Sequence, residues 1–317
     1  MADPQSLHHI TNGNTLSSKL STAGIPGTVS EWSDILHEGP VPEGQSDPEL
    51  LETRARYGAM KGYGEYEELL TALRQWYDGV DTACDELVLW YEHDLFDQLN
   101  LISLLDRLSR RQPRPRVSLV SIDSFPGRPR FLGMGELRPE ELAGLFPSRA
   151  EVTGPQYALA QAAWRAFRAP TREPLEALLC GDTSALPFLA PALRRHLEEF
   201  PSMANGLSRT EQQLLDLAGT RPMSIAETFK RLADLEQCFF LGDTSFWTVV
   251  IRLATSTPAL LDVEIEEVSS RALPDGIIRI TQTGRDVAAG RADRIALCGI
   301  DRWLGGVHLT AERPWRR

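Results

Sequence analysis

Hydrophobic and polar positions change their period several times along the chain. Leu7 to Thr11 is a short β-rich run, Asn12-Gly13-Asn14 is a turn, and Thr15 stands as the N-cap of a helix reaching about Ala23. Gly24 and Pro26-Gly27 stop that helix. Thr28 to Trp32 predicts a second strand, followed from Ser33 to Pro42 by a loop rich in polar residues, Gly and Pro. Glu49 to about Met60 and Tyr66 to Tyr77 predict helices. Glu86 to Tyr91 is an apolar strand leading straight into Glu92-His93-Asp94, and Leu95 to about Arg110 carries apolar residues at helical spacing. Val117 to Ile122 adds a strand that ends in Asp123-Ser124-Phe125-Pro126-Gly127. Four strands alternating with helices predict an α/β, Rossmann-like parallel sheet domain over residues 1–137.

From 138 to 205 the pattern is helical, broken at Pro147, Pro170, Pro174 and Pro187, with no period-2 alternation; it predicts a helical connector packed on the sheet. Residues 206–317 change again. Ser208 to Ala218, Ser224 to Leu235 and Thr244 to Ala254 predict three helices, and Leu260 to Val268 and Gly276 to Thr281 two strands, the outline of a winged-helix-like α+β domain. Thr283-Gly284-Arg285 opens another helix to about Gly290, and the special residues of 299–309 predict a tail that docks back on the body.

Composition narrows the class. At 317 residues, with 42% hydrophobic and 24% charged positions, the chain has room for about two packed domains. No run of about 18 apolar residues occurs, and Met1 to Ser6 lack the basic and apolar regions of a signal peptide, so a cytoplasmic protein with no membrane partner is expected. Cys84, Cys180, Cys238 and Cys298 are far apart without C-x-x-C spacing, which predicts reduced, mostly buried thiols. The net charge of −11 opposes a phosphate backbone and counts against nucleic acid as a partner.

Three ordered motifs carry a resemblance: Leu7-His8-His9-Ile10-Thr11-Asn12-Gly13, Trp32-Ser33-Asp34-Ile35-Leu36-His37-Glu38-Gly39-Pro40-Val41-Pro42, and Trp90-Tyr91-Glu92-His93-Asp94-Leu95-Phe96-Asp97-Gln98. Together they resemble the bacterial domain of unknown function 1835. The C-terminal half is similar to its companion, domain of unknown function 3658, through Asp301-Arg302-Trp303-Leu304-Gly305-Gly306. Asn14 departs from the acidic residue expected at that turn. The resemblance implies no activity, so function rests on the site.

In a parallel sheet the loops at the carboxyl ends of the strands share one edge, where ligands bind. Asn12, Gly13 and Asn14 before a helix could cradle an anion on backbone N–H groups; the alternative is a plain strand-to-helix turn. Asp34, His37 and Glu38 lie in a loop stiffened by Gly39-Pro40-Val41-Pro42, as an acid-base group or as a helix-entry loop. Glu92-His93-Asp94 directly after a strand is the stronger signal. His93 is the first candidate for general acid or base, with Asp94 as a catalytic carboxylate or as the N-cap of the next helix. Gln98 and Trp32 are candidate ligand contacts, as is His308 beyond Gly305-Gly306. His9, inside a strand, reads as a satisfied core histidine, and His8 and His196 as surface residues.

His37, His93 and Asp94 are of the types that hold a divalent metal, without a fixed ligand spacing, so a metal cofactor is one alternative. G-x-S-x-G, P-loop and G-x-G-x-x-G signatures are absent. The leading reading is an enzyme, a hydrolase or transferase, using acid-base chemistry on a small polar, phosphorylated or nucleotide-like ligand. It predicts that Asn12, Asp34, His37, Glu38, His93 and Asp94 converge on one crevice. The alternatives are a ligand-sensing winged-helix regulator and a non-catalytic interaction module. The regulator is weakened because its recognition helix, Thr244 to Ala254, has only Arg252 as a cation and reads as buried, which favours a structural or homodimerising role.

Overall fold

The computed structural model describes residues 6–113, 115–267 and 273–317. The chain divides into two compact units: one runs to His37 and resumes over Val41–Leu193, and the other takes Glu38–Pro40 and Arg194–Arg317. In chain order the elements of the first unit are β1 (Leu7–Thr11), α1 (Asn14–Thr22) and β2 (Thr28–Glu31). The short β3 (Gly39–Pro40) of the second unit interrupts them before α2 (Asp47–Met60), α3 (Tyr66–Val80), β4 (Glu86–Trp90), α4 (Leu95–Arg110) and β5 (Arg116–Val120). They continue with α5 (Pro139–Leu145), β6 (Ala150–Glu151), α6 (Gly154–Arg168) and α7 (Glu173–Leu179); the division between units falls inside α8 (Leu189–Leu197).

The first unit is an α/β, Rossmann-like fold. Its sheet has the order β2-β1-β4-β5-β6 and is parallel except at the last edge. Every residue of central β4 is buried, as a strand covered on both faces must be. Val88 and Trp90 join Leu16 and Leu20 of α1 and Phe131, Met134, Leu137 and Leu142 in one apolar cluster. Leu87 and Leu89 alternate to the opposite side and are fully buried there. The helical segment expected as a connector contains β6, antiparallel to β5 through Ser118↔Glu151 and Leu119↔Ala150. Two residues are too few to show a period, so the sequence pattern hid this strand.

Chain order makes the centre of the sheet special. From β1 the chain goes first to β2 on one side and later returns to β4 on the other, so the connections leave β1 and β4 in opposite directions. The carboxyl ends of β1 and β4 therefore flank a topological switch point, where the two outgoing loops part and leave a crevice.

The second unit contains α9 (Arg209–Thr220), β7 (Met223–Ser224), α10 (Ile225–Asp234), α11 (Asp243–Ala254), β8 (Leu261–Glu267), β9 (Asp275–Ile280), α12 (Gln282–Ala288), α13 (Arg294–Cys298), β10 (Asp301–Gly305) and β11 (Val307–Thr310). Strands β7-β9-β8 form an antiparallel sheet. Val268, placed in the first of its long strands by the sequence pattern, lies outside the described residues, as do residues 1–5. Phe246, Val249, Val250 and Leu253 of α11 are buried, and its Arg252 is engaged by Glu211. The terminal segment forms the hairpin β10-β11, and β3 pairs in parallel with β10 through Leu304↔Gly39 and Gly305↔Pro40. The sequence pattern reads 33–42 as loop throughout, because β3 is only Gly-Pro and its partner lies far along the chain.

Several local expectations are corrected. Helix α1 starts two residues earlier than an N-cap at Thr15 implies; its N-cap is Gly13, and Thr15 is an exposed first-turn residue. His8 and His196 are buried, not surface residues: His8 shares a 2.6 Å hydrogen bond with Thr28 on the central sheet, and His196 packs edge-on to Phe200. None of the four cysteines is buried, since they stand at element ends and loops. Among the described residues no helix is long and apolar enough to cross a membrane.

Candidate functional site

The crevice at the switch point has a volume of about 310 Å3. Its wall comes from Asn12 to Leu16 after β1, from Glu92 and Asp94 after β4, and from Leu132, Gly133, Gly135 and Glu136. Each side is held by its own local chemistry. Gly13 has φ 146°, a backbone that favours glycine, and Ser33 Oγ donates 2.6 Å to the Asn12 carbonyl. The first intrahelical bond of α1 runs from Ser17 N to Gly13 O, and no side chain caps the helix. Its first turn, without an acidic residue, thus presents N–H groups at the wall of the crevice.

Opposite stand three carboxylates. Asp94 caps α4, accepting from Asp97 N at 2.9 Å. Asp97 is fully buried, and its Oδ2 accepts from Asn12 Nδ2 at 3.0 Å and from Glu92 N at 2.9 Å. Glu92, 2% exposed, accepts from Met134 N at 2.6 Å. Gly133, φ 148°, lets the chain pass so close that a Cβ there would lie 2.2 Å from Glu92 Oε2. Lys19 of α1 donates to the Gly135 carbonyl at 2.5 Å, which ties this turn to the helix. Glu92, Asp94 and Asp97 each bring a carboxylate oxygen within 4.8 Å of the others.

Burial and mutual repulsion dominate the electrostatics. Desolvation, then Asp94, pushes Glu92 up to about 8 against hydrogen bonds from Met134 and Asn12. Desolvation raises Asp94 to about 6 against the backbone N–H groups of Asp97 and Phe96, and desolvation with both neighbouring acids raises Asp97. Among the described residues no arginine or lysine pairs with the three, so protons or a cation must relieve the crowding.

The crevice gathers Asn12, Gly13, Asn14, Glu92 and Asp94 of the sequence candidates, but the wider set does not converge. Asp34 is held by Arg54 through bonds of 2.8 to 3.2 Å, because the loop carrying it folds against α2. His37 is buried with its ring edge-on to Phe96. Glu38 belongs to the second unit, in the field of Arg252 and Arg302. His93 is absent from the crevice wall: its ring stacks on Phe131 and meets Phe188 edge-on, and burial lowers its pKa against Asp123 and the Ile122 backbone. Glu92 and Asp94 line the crevice, while the bend that follows β4 leaves the His93 ring between Phe131 and Phe188.

Gln98 hydrogen-bonds to the Glu92 carbonyl and lines a separate pocket of about 240 Å3 with Ser121, Gln156 and Phe188. Trp32 is core, packed on Tyr77 at 4.5 Å. His308 belongs to the second unit, where it pairs across the hairpin with Trp303, stacks on it at 4.3 Å and bonds to Asp301. His37 and His93, candidate metal ligands from sequence, stand outside the carboxylate group. Asp97 escaped sequence reasoning although it follows Asp94 by three residues, the spacing that puts two side chains on one helix face. The turn from Gly133 to Glu136 offered no such signal.

No protein-family model and no curated protein matches the chain. The geometry of the crevice therefore carries the functional reading.

Proposed function

We propose that the protein is an enzyme acting on a small polar, phosphorylated substrate bound in the crevice between the ends of β1 and β4. One observation carries this reading: the pocket at the topological switch point is walled on one side by the uncapped start of α1 and on the other by Glu92 and Asp94. A phosphate fits the first wall, because the unpaired N–H groups and the helix dipole favour an anion. The carboxylate side, with Glu136 at its rim, supplies groups for chemistry on the substrate. The volume suits a metabolite or a mononucleotide. We further propose membership of the domain of unknown function 1835 family, on the three ordered motifs, two of which supply this wall.

Thermal unfolding with a panel of sugar phosphates and nucleoside monophosphates tests the reading. Stabilisation by at least one such compound and not by its dephosphorylated form, lost in Gly13→Pro, is expected. Equal response to both forms refutes the phosphate assignment.

A further inference from the structure

We infer that Glu92, Asp94 and Asp97 form a binding site for one hard divalent cation, of the magnesium or manganese type. The inference extends the reading above, because two of the three carboxylates, Glu92 and Asp94, line the same crevice. Two independent features carry it. The first is the donor set: three carboxylates, two of them fully buried, each with an oxygen within 4.8 Å of the others and none paired with a basic side chain among the described residues. The second is Asp97 Oδ1. It is shielded from solvent and accepts no hydrogen bond, whereas Oδ2 of the same carboxylate has two donors. A buried carboxylate oxygen without a donor loses its hydration with no return. A cation beside Asp97 would satisfy it.

The surroundings fix the carboxylates as a ligand set requires. Asn12 binds Asp97, Met134 N binds Glu92, and Asp97 N binds Asp94, so each ligand keeps a hydrogen bond from the chain. An all-oxygen set with no histidine or cysteine selects hard cations. Open positions on such an ion would be filled by water and by substrate oxygens. A cation also removes a conflict within the crevice, since a phosphate at the start of α1 would otherwise face Glu92 and Asp94 across the same space.

Titration of the full-length protein with Mn2+ alone, followed by the electron paramagnetic resonance of free Mn2+, tests this. One ion per chain is expected, with competition by Mg2+. Asp97→Asn and Glu92→Gln, which keep the side chain's shape and one acceptor oxygen, should each weaken binding roughly tenfold or more. Circular dichroism and thermal unfolding without metal should show both variants folded and close to the parent in stability, since each exchanges a carboxyl for an amide of the same shape. Absence of Mn2+ binding in the parent, or binding of parent strength in folded Asp97→Asn, overturns the inference. Because the metal is the only ligand, the outcome is independent of whether any phosphorylated compound stabilises the protein.

Discussion

Glu86, at the start of β4, gives a sharp test of what holds the sheet together. Its carboxylate is 1% exposed and accepts from Ser118 Oγ at 2.6 Å, from Arg149 Nε at 2.9 Å and from Arg116. Burial alone would raise its pKa, but the bonds from Arg149, Ser118 and Arg116 prevail and hold it at about 2. From an ordinary value of 4.5 that displacement corresponds to about 3.4 kcal/mol of stability at neutral pH. Arg116 is 43% exposed, so solvent screens part of this and about 2–3 kcal/mol remains. The folded pKa is depressed, so the contribution is present above about pH 4.5 and is lost as pH falls through about 2. Glu86→Gln should remove it at pH 7, and exchange of the β4 amides, read by mass spectrometry, should accelerate roughly 30- to 150-fold. The variant should also lose the part of its acid sensitivity that lies between about pH 5 and 2. Unchanged protection at pH 7, or an acid profile identical to the parent's, would falsify the assignment of this stability to Glu86.

Two further predictions address neighbouring residues. Trp90 Nε1 donates to His9 Nδ1 at 3.1 Å while His9 Nε2 contacts the Pro26 carbonyl, which demands the neutral ring with its proton on Nε2; burial likewise lowers the His9 pKa, so stability should fall as pH drops below about 6.5, and His9→Gln should flatten the denaturation midpoint between about pH 6.5 and 5.5, an unaltered slope being the contrary result. Gly133→Ala combines φ 148° with a Cβ 2.2 Å from Glu92 Oε2, so it should cost about 1–3 kcal/mol in thermal unfolding and weaken Mn2+ binding; parent values in both assays would show that this glycine does not pin Glu92.

The local periods of the chain determine much of this architecture by themselves. The five residues of β1, the limits of α4 and the apolar run of β4 follow from alternation, caps and breakers, which act over a few positions. The same local signals mark Asn12-Gly13-Asn14 and Glu92-His93-Asp94 as chemistry at strand ends, and Asp94 as a helix cap. Tertiary structure decided what no local pattern encodes. Strand order put β1 beside β4 and so joined two of the marked loops into one crevice, while Arg54 claimed Asp34 and the hairpin register claimed His308. Phe131 and Phe188 took up the ring of His93, apart from the two acids beside it in sequence. The turn at Gly133 reached Glu92 from some forty positions away. Period and capping are properties of neighbours along the chain, whereas a site is a property of neighbours in space, fixed by the order in which strands pair and by which charges find partners once water is excluded.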